Sequence, residues 1–127
     1  MAGLETAGSV LVVDDDPDAR AMLVEALAIA NVHAIPCASA EEALAHAANE
    51  PPLLVVTDLH MDGMNGAQLA RSLRALEPRP VVLALTGDAE VAMDVQRLFR
   101  ALIVKPASPL DVAAMIVRFV RARPSRA

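Results

Sequence analysis

Tryptophan and tyrosine are missing from this 127-residue chain, and Phe99 and Phe119 are its only aromatic residues. Because 55% of the residues are nonetheless hydrophobic, the core has to be aliphatic, built from Val, Leu, Ile, Ala and Met. A single cysteine, Cys37, excludes an internal disulfide and a cysteine-built metal site, and suits a reducing compartment. Positive charge is scarce. Eleven Lys and Arg face 16 Asp and Glu, giving a formal net charge of -5 and a pI near 5.0, which argues against nucleic acid as a direct ligand. The first basic residue is Arg20 and Glu25 interrupts the apolar stretch after it, so neither a signal peptide nor a run of roughly 20 apolar residues is expected. The expectation is a cytoplasmic chain without a membrane segment.

What the chain does contain is five short apolar runs, at 10–13, 32–35, 53–56, 81–85 and 102–104. Segments with helical spacing lie between and after them, at 19–30, 40–48, 66–76, 89–98 and 110–121. Strands this uniformly apolar are covered on both faces, so the alternation predicts an α/β fold with a parallel sheet between helical layers. Start signals agree with these bounds: Ser39 with Glu42 has capping-box spacing, Asn65 suits the N-cap of the third helix, and Ser108-Pro109 sets a cap before a proline. At 13.3 kDa one domain is expected, over 9–121, with tails at 1–8 and 122–127.

Carboxylates stand where the apolar runs stop. The first ends at Asp14, Asp15 and Asp16, the third at Asp58, while Thr86 closes the fourth and Lys105 the fifth. In doubly wound sheets, ligands bind beyond the carboxyl ends of the strands, where strand order reverses. Gathered there, these residues would combine a metal cage, a nucleophile, a hydroxyl and a fixed cation. Crowded acids repel unless a cation sits among them, and Mg2+ accepts one or two carboxylates, waters and a phosphate oxygen. Asp15 and Asp58 could ligate it, with Asp14 orienting a water. A carboxylate can also attack phosphorus to form an aspartyl phosphate, with Lys105 and Thr86 neutralising the phosphoryl oxygens; Asp58 is the expected acceptor.

Over nearly its whole length the chain resembles the receiver domains of bacterial two-component response regulators. The matching residues are Val10-Leu-Val-Val-Asp14-Asp15-Asp-Pro17, Thr57-Asp58 with Met61 and Gly66 after it, Leu85-Thr86-Gly87, and Val104-Lys105-Pro106. The resemblance implies a flavodoxin-like, doubly wound five-stranded parallel sheet with five helices in three layers. It also implies phosphoryl transfer to Asp58 from a histidine kinase or histidine phosphotransfer protein, a need for Mg2+, and an altered downstream protein or effector contact as output. On this reading the chain is no enzyme beyond its own phosphorylation and dephosphorylation. The carbonyl of His60 would be a third metal ligand, the Lys105–Pro106 peptide would be cis, and Gly87 would keep the approach to the phosphate open. A surface of the fourth helix, fifth strand and fifth helix would be a dimer or output face.

Two departures matter. Leu102 stands where the family usually has Tyr or Phe, so an aromatic switch is absent and output must pass through Thr86, its loop, or aliphatic repacking. Asp62 replaces a common proline, which implies a looser loop, and Asp88, two residues after Thr86, is expected to tune phosphate lifetime together with His60. Other residues have plainer readings: Asp16 and Asp18 as a helix start, the His60 ring as an exposed imidazole, His33 and His46 as structural or solvent-facing, Cys37 as a core hydrophobe. The apolar segment 112–120 exceeds a core stripe, which suits either a homodimer face or a modest exposed patch. A competing reading is a small Mg-dependent phosphatase resembling the haloacid dehalogenase superfamily, with Asp14 as nucleophile, although that leaves Asp58 unexplained. Flavin binding is disfavoured by the missing aromatic stack and the missing Gly/Thr-rich phosphate loop.

Overall fold

The computed structural model describes residues 9–61, 63–88 and 90–122. Strands β1 (Val10–Val13), β2 (Ala34–Cys37), β3 (Leu54–Asp58), β4 (Val81–Thr86) and β5 (Ala101–Val104) form one parallel sheet in the order β2-β1-β3-β4-β5. Helices α1 (Pro17–Ile29), α2 (Ala40–Asn49), α3 (Gly66–Leu73), α4 (Met93–Gln96) and α5 (Pro109–Ala122) connect and close it. Successive strand residues face opposite ways, and the core divides accordingly. Val10, Val12, Leu54, Val56 and Leu83 pack with Leu23 and Leu27 of α1 and Val112 and Ile116 of α5. Leu11, Val13, Val55 and Ala84 pack with Ala43 of α2 and Leu69 and Leu73 of α3. This is the expected three-layer, flavodoxin-like architecture, and strand order reverses between β1 and β3, the strands that carry the acids. No helix of the described residues is long and apolar enough to cross a membrane.

Capping residues act where the sequence placed them. Ser39 Oγ accepts the Glu42 N–H, Asn65 and Gln68 form a reciprocal capping box, and Ser108 Oγ accepts the Asp111 N–H. Asp16 caps α1 by accepting from the Asp18 N–H, so α1 begins at Pro17, two residues before the periodic stretch.

Bounds shift by a residue or two in several elements, and the differences in β2, α3 and α4 have identifiable causes. β2 was expected at 32–35 but begins at Ala34, because Asn31, at φ 63°, closes α1 with a Schellman motif that directs the Val32 N–H to the Leu27 carbonyl. Pro36 fits within β2 because that strand is the sheet edge. α3 ends at Leu73 rather than 76, as the next three N–H groups bond three residues back instead of four. The helix expected at 89–98 shrinks to the four residues of α4: Ala92 has no side chain to cap it, and the Leu98 and Phe99 N–H groups also bond three residues back. The tails at 1–8 and 123–127, the Asp62 position and Ala89 lie outside the described residues; α5 itself runs to Ala122, one residue past the expected domain limit.

Candidate functional site

Because β1 and β3 are parallel neighbours in register, with Val13 beside Thr57, they end side by side. Asp14 follows β1 directly, its N–H extending the ladder to the Cys37 carbonyl, and Asp58 is the last residue of β3. The result is one cluster: carboxylate oxygens of Asp14, Asp15 and Asp58 all lie within 4.8 Å of one another. Asp14 and Asp58 are buried and Asp15 is exposed. Asp14 is fixed twice, its Oδ1 accepting the Asp16 N–H at 2.9 Å and its backbone carbonyl accepting Arg20 Nη1 at 2.8 Å.

Lys105 reaches the cluster from β5's end, where its own N–H bonds the Thr86 carbonyl at 2.7 Å. Its Nζ donates to Asp58 Oδ2 at 2.9 Å. Thr86 is fully buried at the end of β4, and its Oγ1 accepts the Asp88 N–H at 3.0 Å. The His60 N–H faces Asp58 Oδ1 at 3.4 Å, a long bond, while its ring Nε2 pairs with Asp88 Oδ2 at 2.8 Å in the open.

Burial pushes the Asp14 carboxyl above the ordinary carboxylate range; the Asp16 N–H opposes this, and the charge of Asp58 adds to it. Burial works against the Lys105 ammonium, but the hydrogen bond and charge of Asp58, with Asp14 and Asp15 beyond, hold its pKa above the usual lysine value. Three carboxylates, with Lys105 Nζ on Asp58, make an all-oxygen donor set of the kind that suits a hard divalent cation.

Asp14, Asp15, Asp58 and Lys105 are thus brought together, with His60 and Thr86 adjoining through their backbones. The His60 ring instead turns to Asp88. Lys105–Pro106 is cis, as is Glu77–Pro78. A Cβ added at Gly87 would meet no atom within 4 Å, so the space above it is open. Leu102 is half-buried and packs against the core shared with α2 and α3. Cys37 is fully buried, its thiol pushed up to about 11 chiefly by burial. One contributor escaped the sequence reading: Arg20 gave no signal beyond being the first cation. Gly66 was noted only as part of the resemblance, and its reason is local: it opens α3 so close to β3 that a Cβ there would stand 2.5 Å from the Asp58 carbonyl oxygen.

The family described as "Response regulator receiver domain" matches residues 10–116. The chain is 34% identical over 85 residues to the response regulator receiver protein CpdR of Brucella abortus, covering 67% of this chain and 71% of that protein. It is 35% identical over 95 residues to the C4-dicarboxylate transport transcriptional regulatory protein DctD of Rhizobium meliloti, where the match covers 75% of this chain but only 21% of the relative. The chain therefore corresponds to about a fifth of that regulator's length. Among solved structures, the receiver domain of NtrX from Brucella abortus aligns with a TM-score of 0.79 at 25% identity, over 91% of this chain and 100% of that one.

Proposed function

Because the chain belongs to the response regulator receiver domain family, we propose that Asp58 accepts a phosphoryl group from the phosphohistidine of a histidine kinase or histidine phosphotransfer protein. The observation that carries this is the meeting of the Asp14, Asp15 and Asp58 carboxylates within 4.8 Å, with Lys105 Nζ 2.9 Å from Asp58 Oδ2. A carboxylate oxygen of Asp58 attacks phosphorus, the P–N bond breaks, and its electron pair leaves with the imidazole; an aspartyl phosphate remains. Lys105, already beside Asp58, moves onto a phosphoryl oxygen, and the Thr86 hydroxyl donates to another. Asp15 and Asp58, with the His60 carbonyl and with Asp14 through a water, would hold Mg2+, which when bound neutralises charge on the phosphoryl oxygens.

His60 and Asp88, paired 2.8 Å apart, tune how readily water reaches the acyl phosphate. Since Thr86 Oγ1 accepts from Asp88 N–H, a threonine that turns toward phosphate releases that bond and frees the following loop. Leu102 answers by aliphatic repacking rather than by swinging a ring, and the output is a changed protein contact. Exposed Met93 of α4 and Val104 of β5 support a homodimer or effector face on that side. The receiver unit spans 9–121. The phosphatase reading is less well supported, because Lys105 Nζ stands on Asp58 rather than on Asp14 and that reading gives Asp58 no role.

The test is phosphotransfer from a labelled phosphohistidine donor or acetyl phosphate in Mg2+. Label should appear on Asp58, disappear in Asp58→Ala, and fall at least tenfold on chelation; label on Asp14 would overturn the assignment.

A further inference from the structure

A second concentration of charge, of opposite sign, lies at the other end of the sheet. Arg74 at the C-cap of α3, Arg79 before β4, Arg97 at the C-cap of α4 and Arg100 before β5 line one cleft of about 380 Å³. These are four of the chain's 11 basic residues, in a protein of net charge -5. Among the described residues, no ion pair joins any of these four guanidinium groups to a carboxylate. Arg74 Nη2 donates to the Arg97 carbonyl at 3.3 Å, tying α3 to α4, while the Arg100 guanidinium lies 5.5 Å from the ring centroid of Phe119, a residue outside the cleft, which leaves Arg79 and Arg97 as its freest cations. Beneath the charges the apolar floor includes the half-buried Val81 and Leu98 as well as the buried Leu73, Pro80 and Phe99.

Gathering cations without a counter-charge is unfavourable, and the arginine fork matches phosphate oxygens better than any other side chain. The volume falls in the roughly 300–1,000 Å³ range of small-molecule pockets. A long polyanion would meet the repulsion of the whole acidic surface, but a small one responds mainly to charges within a Debye length of about 8 Å. We propose that this cleft binds a small phosphorylated ligand of nucleoside-diphosphate size, its phosphates on the arginines and its ring on the apolar floor. The site is separate from the acidic one and stands whether or not Asp58 is the phosphoacceptor.

Calorimetric titration of the intact chain in EDTA, so that the acidic cluster holds no metal, tests it with ADP, adenosine and pyrophosphate. ADP should bind saturably at one site per chain. Adenosine and pyrophosphate should each bind at least tenfold more weakly, and Arg79→Gln/Arg97→Gln should weaken ADP at least tenfold while Asp58→Asn leaves it unchanged. Both substituted arginines are exposed, and an unaltered circular dichroism melt would show that the double variant folds. Absence of saturable ADP binding, undiminished binding by the double variant, or pyrophosphate binding as tight as ADP would overturn the proposal.

Discussion

Gly66 is the position where one methyl group matters most. The Asp58 carbonyl oxygen would lie 2.5 Å from an added Cβ and Leu59 Cα 3.0 Å, and both are backbone atoms that cannot swing aside. Gly66→Ala should therefore lower stability by about 1–3 kcal/mol in urea titration, and should slow acetyl phosphate labelling because Asp58 itself is displaced. Asp14 gives a pH dependence. Its folded pKa is raised, mainly by burial, so between the ordinary value of 3.8 and the folded value the native state binds more protons than the unfolded chain. Stability from a neutral Asp14 is fully present below 3.8 and is lost as pH rises through the folded pKa. Asp14→Asn keeps an oxygen for the Asp16 N–H and removes the buried charge. In EDTA it should raise Tm at pH 7 and converge on the parent near pH 3; an equal or lower Tm at pH 7 would contradict the argument. Circular dichroism is the natural readout for a chain without Trp or Tyr.

At the scale of elements, local chemistry explains both the agreement and the misses. Helices α2, α3 and α5 begin where Ser39, Asn65 and Ser108 stand, because a side-chain oxygen there accepts an otherwise unpaired N–H. The fourth helix had periodic apolar residues but no such cap, and only four residues of it formed. Ala92→Ser should supply the missing acceptor and add about 0.5–1 kcal/mol, with slower amide exchange through 93–98 as the local signature. No gain on either measure would show that tertiary packing, not capping, limits α4. The displaced start of β2 had a signal in the sequence, Asn31, but only the chain's return into the sheet made the left-handed turn necessary. Pro36 likewise argues against a central strand and is compatible with an edge; which strand lies at the edge is a matter of pairing.

For the whole molecule, both faces of the sheet are sealed, and Cys37 reports on that seal. It is fully buried with its thiol pushed up to about 11, so thiol reagents at pH 8 should reach it only through unfolding. Under those conditions Mg2+ at a hundred times its Kd should stabilise the fold by about 2.7 kcal/mol and slow labelling about a hundredfold. Labelling indifferent to Mg2+ would mean that Cys37 opens locally or that the acidic site holds no such ion. The family, the αβα layering and the acidic residues of the site were all legible in the chain, because uniformly apolar strands require cover on both faces and polar residues at their ends are anomalous enough to notice. The linear order could not show that Lys105 Nζ stands 2.9 Å from Asp58 Oδ2, that Gly66 touches the Asp58 backbone, or that arginines from the α3–β4 and α4–β5 connections line one cleft. Patterning follows from each segment's own burial, whereas those contacts depend on the β2-β1-β3-β4-β5 order, which brings Asp58 and Lys105 together across 47 positions of sequence.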